Sequence, residues 1–173
     1  MIIDLIVVLI FIYIGMIGFR RGAWLSCIHL CSTLFSLWVA QRLYMVISQR
    51  LELFVPFPKT RAYDLNYTLQ FDNLQQRFDH IIAFLIIATV TKMICYGIIV
   101  IFDNIHKYQS LHLISRIIGV VMSVISSIII TSTLVYGVAL YPLEIIQQQL
   151  SESIVATYMV IHIPYVSTFV MNI

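Results

Sequence analysis

Lys92 is the side chain best placed to do chemistry, because it carries a cation into an otherwise apolar run, 81–102, IIAFLIIATVTKMICYGIIVIF. That run is roughly 22 residues long, enough for a helix to cross a hydrocarbon core of ~30 Å. A charge at the centre of such a helix costs ~2.5–3.5 kcal/mol on insertion scales, so it usually faces protein or water and marks an ion or substrate site. The alternative is a lysine whose stem snorkels toward one interface. Both readings stay open, with Thr89, Thr91 and Cys95 keeping the neighbourhood partly polar. Asp4 sits near the outer end of the first apolar run, where it either pairs with a cation or marks the interface. Arg116 opens the last long apolar run and is expected to touch lipid phosphates or the end of another helix.

Other constellations dissolve on inspection. Cys27 and Cys31 lie one helical turn apart, but His29 points from a different face, so no metal site forms. Three cysteines give no disulfide framework, and burial as small apolar residues is their expected role. Ser151, Glu152, Ser153 and His162 are nucleophile and base types that helical spacing scatters. There is no HExxH and no phosphate-binding loop. No catalytic residue, cofactor or metal is expected, and the chain reads as a non-enzyme.

The elements that must position Lys92, Asp4 and Arg116 are membrane helices. The chain is 61% hydrophobic with 10% charged residues and a mean hydropathy of +0.97, against roughly 25% charged in soluble domains. A net charge of +2 is too small to imply nucleic-acid binding. Four apolar segments fall at about 2–19, 22–41, 81–102 and 117–141. The first begins without a basic flank and is expected to stay in the protein. Arg21 and Gly22 form the tight link between the first two, with glycine allowing the turn. Two amphipathic interfacial helices are expected. One, at 64–80, carries Tyr67, Phe71, Leu74 and Phe78 on its apolar stripe. The other, at 143–161, begins after Pro142 and carries Leu143, Ile146, Leu150, Ile154, Tyr158 and Ile161. It would lie on the outer leaflet, or serve as a docking surface or gate. The fold class is all-α: an integral membrane protein with four transmembrane helices in a single domain.

Basic residues set the orientation. Arg20 and Arg21 lie between the first two segments, and Lys107 and Arg116 between the last two. No Lys or Arg precedes the first segment or follows Pro142. Both short links are therefore expected in the cytoplasm and both termini outside. The long connection between the second and third segments holds Arg42, Arg50, Lys59, Arg61 and Arg77, which pull the other way, but spread basic residues orient a chain less effectively.

Small residues mark where helices approach. Gly119, Ser123, Ser127 and Thr131 share one face of the last segment, at steps of four. Ser32, Ser36 and Ala40, with Gly15 and Gly18, make similar series in the first two. Such faces let membrane helices pack closely. They join the helices of one chain, or join copies so that hydroxyls line a central axis.

With these residues in view, the chain resembles the colicin V production protein (CvpA) family over nearly its whole length. Asp4 and then Gly18-Phe19-Arg20-Arg21-Gly22 resemble the family's opening span and its Gly-aromatic-x-basic-Gly turn. Ser115-Arg116-Ile117-Ile118-Gly119 resembles the family's Asp/Asn-Arg-x-x-Gly start of the fourth span, with Ser115 in place of the acid or amide. Ser123 stands where a further glycine is common, and Ser153 and Pro164 fit a Ser-to-Pro pattern after that span. The resemblance implies a multispanning bacterial inner-membrane protein linked to toxin production or export and to envelope stress. The expected function is that of a non-enzymatic assembly or accessory factor. The alternative is an oligomeric channel or transporter with a path near Lys92 and the hydroxyl face. Expected partners are the lipid bilayer and either further copies of the chain or another membrane protein.

Overall fold

The computed structural model describes residues 2–51, 73–106 and 112–162, all in or beside α-helices. Among the described residues, five helical elements follow in order: α1 (Ile2–Leu51), α2 (Leu74–His106), α3 (Leu113–Ala139), α4 (Glu144–Ser151) and α5 (Ile154–His162). The first three are long and apolar enough to cross a membrane. The protein is an all-α membrane protein.

Helix α1 is 50 residues long, which at 1.5 Å per residue would reach ~75 Å if straight, far beyond a ~30 Å core. It is not straight. Gly22 sits at φ 78° and ψ −178°, a backbone region that is essentially restricted to glycine. The two expected segments at 2–19 and 22–41 are thus two helical limbs of α1 that meet directly at the non-helical Gly22, the tight link expected there, and the second limb runs on to Leu51. Contacts at the limb ends show that the chain folds back at Gly22. The backbone N–H of Ile2 donates to Gln149 Oε1 at 3.1 Å, beside the α3–α4 corner. At the far end of the second limb Tyr44 packs edge-on against His80 at 5.3 Å, where α2 begins. Phe78 in turn meets Tyr141 at that same corner.

Both limbs lie along α3, and α2 packs almost wholly on α1 while barely meeting α3. The core gathers Val7, Leu37, Ala40, Tyr44, Phe84, Tyr136 and Leu140. The outward faces are apolar too, including Leu9, Ile12, Trp24, Trp38 and Ile118, because the surrounding solvent for such a chain is lipid.

The region after α3 differs from the expected single helix at 143–161. It is divided at Glu152 and Ser153 into α4 and α5. The reason is local. Ser153 Oγ accepts the N–H of Ala156 at 3.1 Å and so caps α5 instead of continuing α4. The apolar stripe also faces differently: Ile154 (84% exposed) and Tyr158 point outward, while Gln147, Leu150, Ser153, Ala156 and Met159 are buried. Pro142 precedes α4 by two residues and does not occupy its first turn. Of the amphipathic helix expected at 64–80, residues 64–72, with Tyr67 and Phe71, lie outside the described residues. Its last part opens α2, with Phe78 buried.

Candidate functional site

Lys92 is held by α1. Its Nζ donates to the backbone carbonyl of His29 at 2.8 Å, to Ser32 Oγ at 3.0 Å and to Thr33 Oγ1 at 2.7 Å. An ammonium has three donors, and all three are used. Ser32 and Thr33 can serve because they share a face of the second limb with Ser36, and Thr33 and Ser36 bond back to carbonyls of their own helix. The lysine therefore ties α2 to α1 through oxygens. Composition had flagged the lysine but not its acceptors, since one of them is a main-chain carbonyl that any residue supplies.

The small-residue face of α3 is covered by the chain itself. Gly119 and Ser123 meet Gly18, Gly22 and Ser26 of α1, and Ser123 Oγ donates to Ser26 Oγ at 3.3 Å. Ser127 and Thr131, further along the same face, are also buried. At Gly18 a side chain has no room: a Cβ there would lie 2.5 Å from the Gly119 carbonyl oxygen. This is the close backbone approach that small residues permit.

Arg116 stands at the turn end of the bundle. Its guanidinium carbon is 5.4 Å from the centroid of the Phe19 ring, a cation–π distance that joins α3 to the first limb. Ser115, beside it, accepts the N–H of Ala23 at 3.1 Å. That N–H belongs to the first residue after the Gly22 kink, where a helix start leaves donors unpaired. A hydroxyl thus does the accepting that an acid or amide could do at this position. Arg21 is half-buried beside the kink.

Asp4 lies at the opposite end. Its Oδ1 accepts from Ser153 Oγ at 2.6 Å and from the N–H of Val155 at 3.3 Å. These contacts are to a helix start, where a carboxylate is favoured by the exposed N–H groups and the dipole. Gln147, which sequence reading had not singled out, is 4% exposed and donates to the carbonyls of Ala139 and Tyr141. It closes the C-terminal end of α3, whose last carbonyls lack helical donors. Arg77 similarly donates to Tyr136 at 3.4 Å, linking α2 to α3. Lys92, Arg116 and Asp4 are thus three separate junctions between helices, not one cluster. Cys27 and Cys31, expected to be buried, are instead exposed on α1, and Cys95 is half-buried, since lipid accepts a small apolar side chain as a protein core does.

The model of the family described as colicin V production protein matches residues 3–164. The chain belongs to the colicin V production protein family. Asp4, Gly18, Gly22, Arg116, Gly119 and Ser153 all fall within the matched range, and each stands at one of the junctions just described. The chain is also similar to the Bacillus subtilis (strain 168) protein named "Uncharacterized transmembrane protein YshB", with 23% identity over 164 residues, covering 95% of this chain and 92% of that one. No solved structure matches.

Proposed function

We infer that this member of the colicin V production family is a non-enzymatic accessory factor of the bacterial cytoplasmic membrane. It serves toxin production or export and envelope homeostasis by holding other membrane components, not by conducting a solute. In this reading the chain crosses four times, with α1 supplying two passes. The Gly22 turn and its arginines face the cytoplasm, as Lys/Arg placement favours, and both termini lie outside. The observation that carries the inference is that Lys92 and the turn end of the small-residue face are engaged within one chain. All three Lys92 donors are used, and Gly119 and Ser123 are covered by α1. Among the described side chains of α2 beyond Lys92, Met93, Ile94, Ile98 and Ile101 form an exposed apolar set beside Tyr96, and a Cβ on Gly97 would touch nothing within 4 Å.

A channel or transporter is the second reading, favoured by one observation. Among the described residues, no carboxylate stands against the Lys92 ammonium, whose bonds all go to neutral oxygens. Two variants separate the readings. Ile98→Trp alters only the outward face of α2 and should lower toxin release from producing cells while the protein still inserts and accumulates. Lys92→Met in proteoliposomes should leave ion flux at the lipid background. A change in flux with Lys92→Met, together with unaltered release from the Ile98→Trp strain, would sink the accessory reading.

A further inference from the structure

The seam between α1 and α3 contains two hydroxyls with nothing to bond. Ser127 is 0% exposed and Thr131 2% exposed, and neither Ser127 Oγ nor Thr131 Oγ1 has a hydrogen-bond partner among the described residues. Neighbouring hydroxyls on the same helix behave differently. Ser126 bonds back to Met122 O at 3.1 Å, Ser132 to Ile128 O at 2.6 Å and Thr133 to Ile129 O at 2.8 Å. Ser123 reaches across to Ser26. Only the two hydroxyls deepest along the small-residue face are left over, and hydrocarbon can satisfy neither.

Their spacing suits one small shared ligand. Residues four apart on a helix have Cβ atoms about 5–6 Å apart, and two hydrogen bonds of about 2.8 Å laid end to end cover that separation. The face 119, 123, 127, 131 carries no carboxylate, which favours a neutral ligand over a hard cation. We propose that Ser127 and Thr131 together hold an internal water molecule between α1 and α3, a hydration site buried within the membrane bundle. Buried waters of this kind typically join polar groups that the protein cannot pair directly. The close contact of Gly18 with Gly119 closes the seam toward the turn.

The test is water-to-protein polarisation transfer by solid-state NMR on the full chain in lipid bilayers. Transfer to the Cβ atoms of Ser127 and Thr131 should build up several-fold faster than at Val121 and Ile125, which are outward on the same helix. Equal build-up at all four positions would overturn the proposal. Thr131→Val keeps the shape and removes one hydroxyl, so transfer at Ser127 should fall toward the Ile125 level, whereas Thr131→Ser should preserve it. Undiminished transfer at Ser127 in the valine variant would show that no water is shared. If that variant does not fold, the comparison within the unaltered protein still decides.

Discussion

Gly18 and Gly119 touch backbone to backbone: a Cβ on either would stand 2.5 Å from the carbonyl oxygen of the other. The contact is reciprocal, so neither helix can yield without moving its main chain. Gly18→Ala or Gly119→Ala should each destabilise the bundle by about 1–3 kcal/mol, as overpacking of a tight interior does. Gly15→Ala is the control. Its new methyl would meet Val120 and Val124 at ordinary contact distance, so the helix-propensity gain of Ala over Gly, roughly 0.5–1 kcal/mol, should show instead. Thermal unfolding of the three variants in one detergent checks both signs.

Gly22 answers to a different constraint. At φ 78° and ψ −178°, an L side chain is strained whatever space surrounds it, at a cost of order 1–3 kcal/mol. Gly22→Ala should lower the unfolding midpoint. It should also weaken the bond from the Ala23 N–H to Ser115, read as faster amide exchange at Ala23. Protected exchange at Ala23 in the variant would mean that the kink is held by packing alone.

Hydropathy made the apolar helices legible, because an apolar run that matches the thickness of a bilayer core is a strong mark of a membrane helix. It also placed the tight link at Gly22, but not how far the second limb runs, since the apolar pattern fades before Leu51 while the helix continues. The Asp4–Ser153 contact spans 149 positions and leaves no local pattern; only the family resemblance had set both residues apart. The outward turn of Ile154 and Tyr158 was hidden for a physical reason: in lipid, an apolar side chain is equally at home facing out, so an apolar stripe no longer identifies the buried side. Lys92 stood out in the sequence, but the groups that satisfy it did not.

The junction at Asp4 predicts a stability link between the chain's two ends. Asp4→Ala removes the acceptor for Ser153 Oγ and Val155 N–H, a change in the range of a lost helix cap, about 0.5–2 kcal/mol. Hydrogen exchange should quicken at Val155 and Ala156 and stay unchanged at Phe84 in α2. Asp4→Asn keeps an oxygen acceptor without the charge and should fall between the two. If exchange in α5 is the same in all three proteins, the contact does not hold the helix.

Lys92 gives the least intuitive expectation. With the ammonium in place, Thr33→Val takes away one of its three acceptors, and a lost bond to a charged group costs about 1.5–3 kcal/mol. Lys92→Met removes the charge and with it the desolvation cost. It strands little, because Thr33 Oγ1 still donates to the His29 carbonyl at 2.8 Å. Removing the acceptor should therefore harm the protein more than removing the lysine. In the Lys92→Met background, Thr33→Val should then cost no more than the Thr33–His29 bond alone is worth, ~0.5–1.5 kcal/mol. A double-mutant cycle on unfolding free energies measures this coupling directly. Additive losses would show that Lys92 and Thr33 act independently, and the lysine would have to be read as a group awaiting a ligand instead of a tie between α1 and α2.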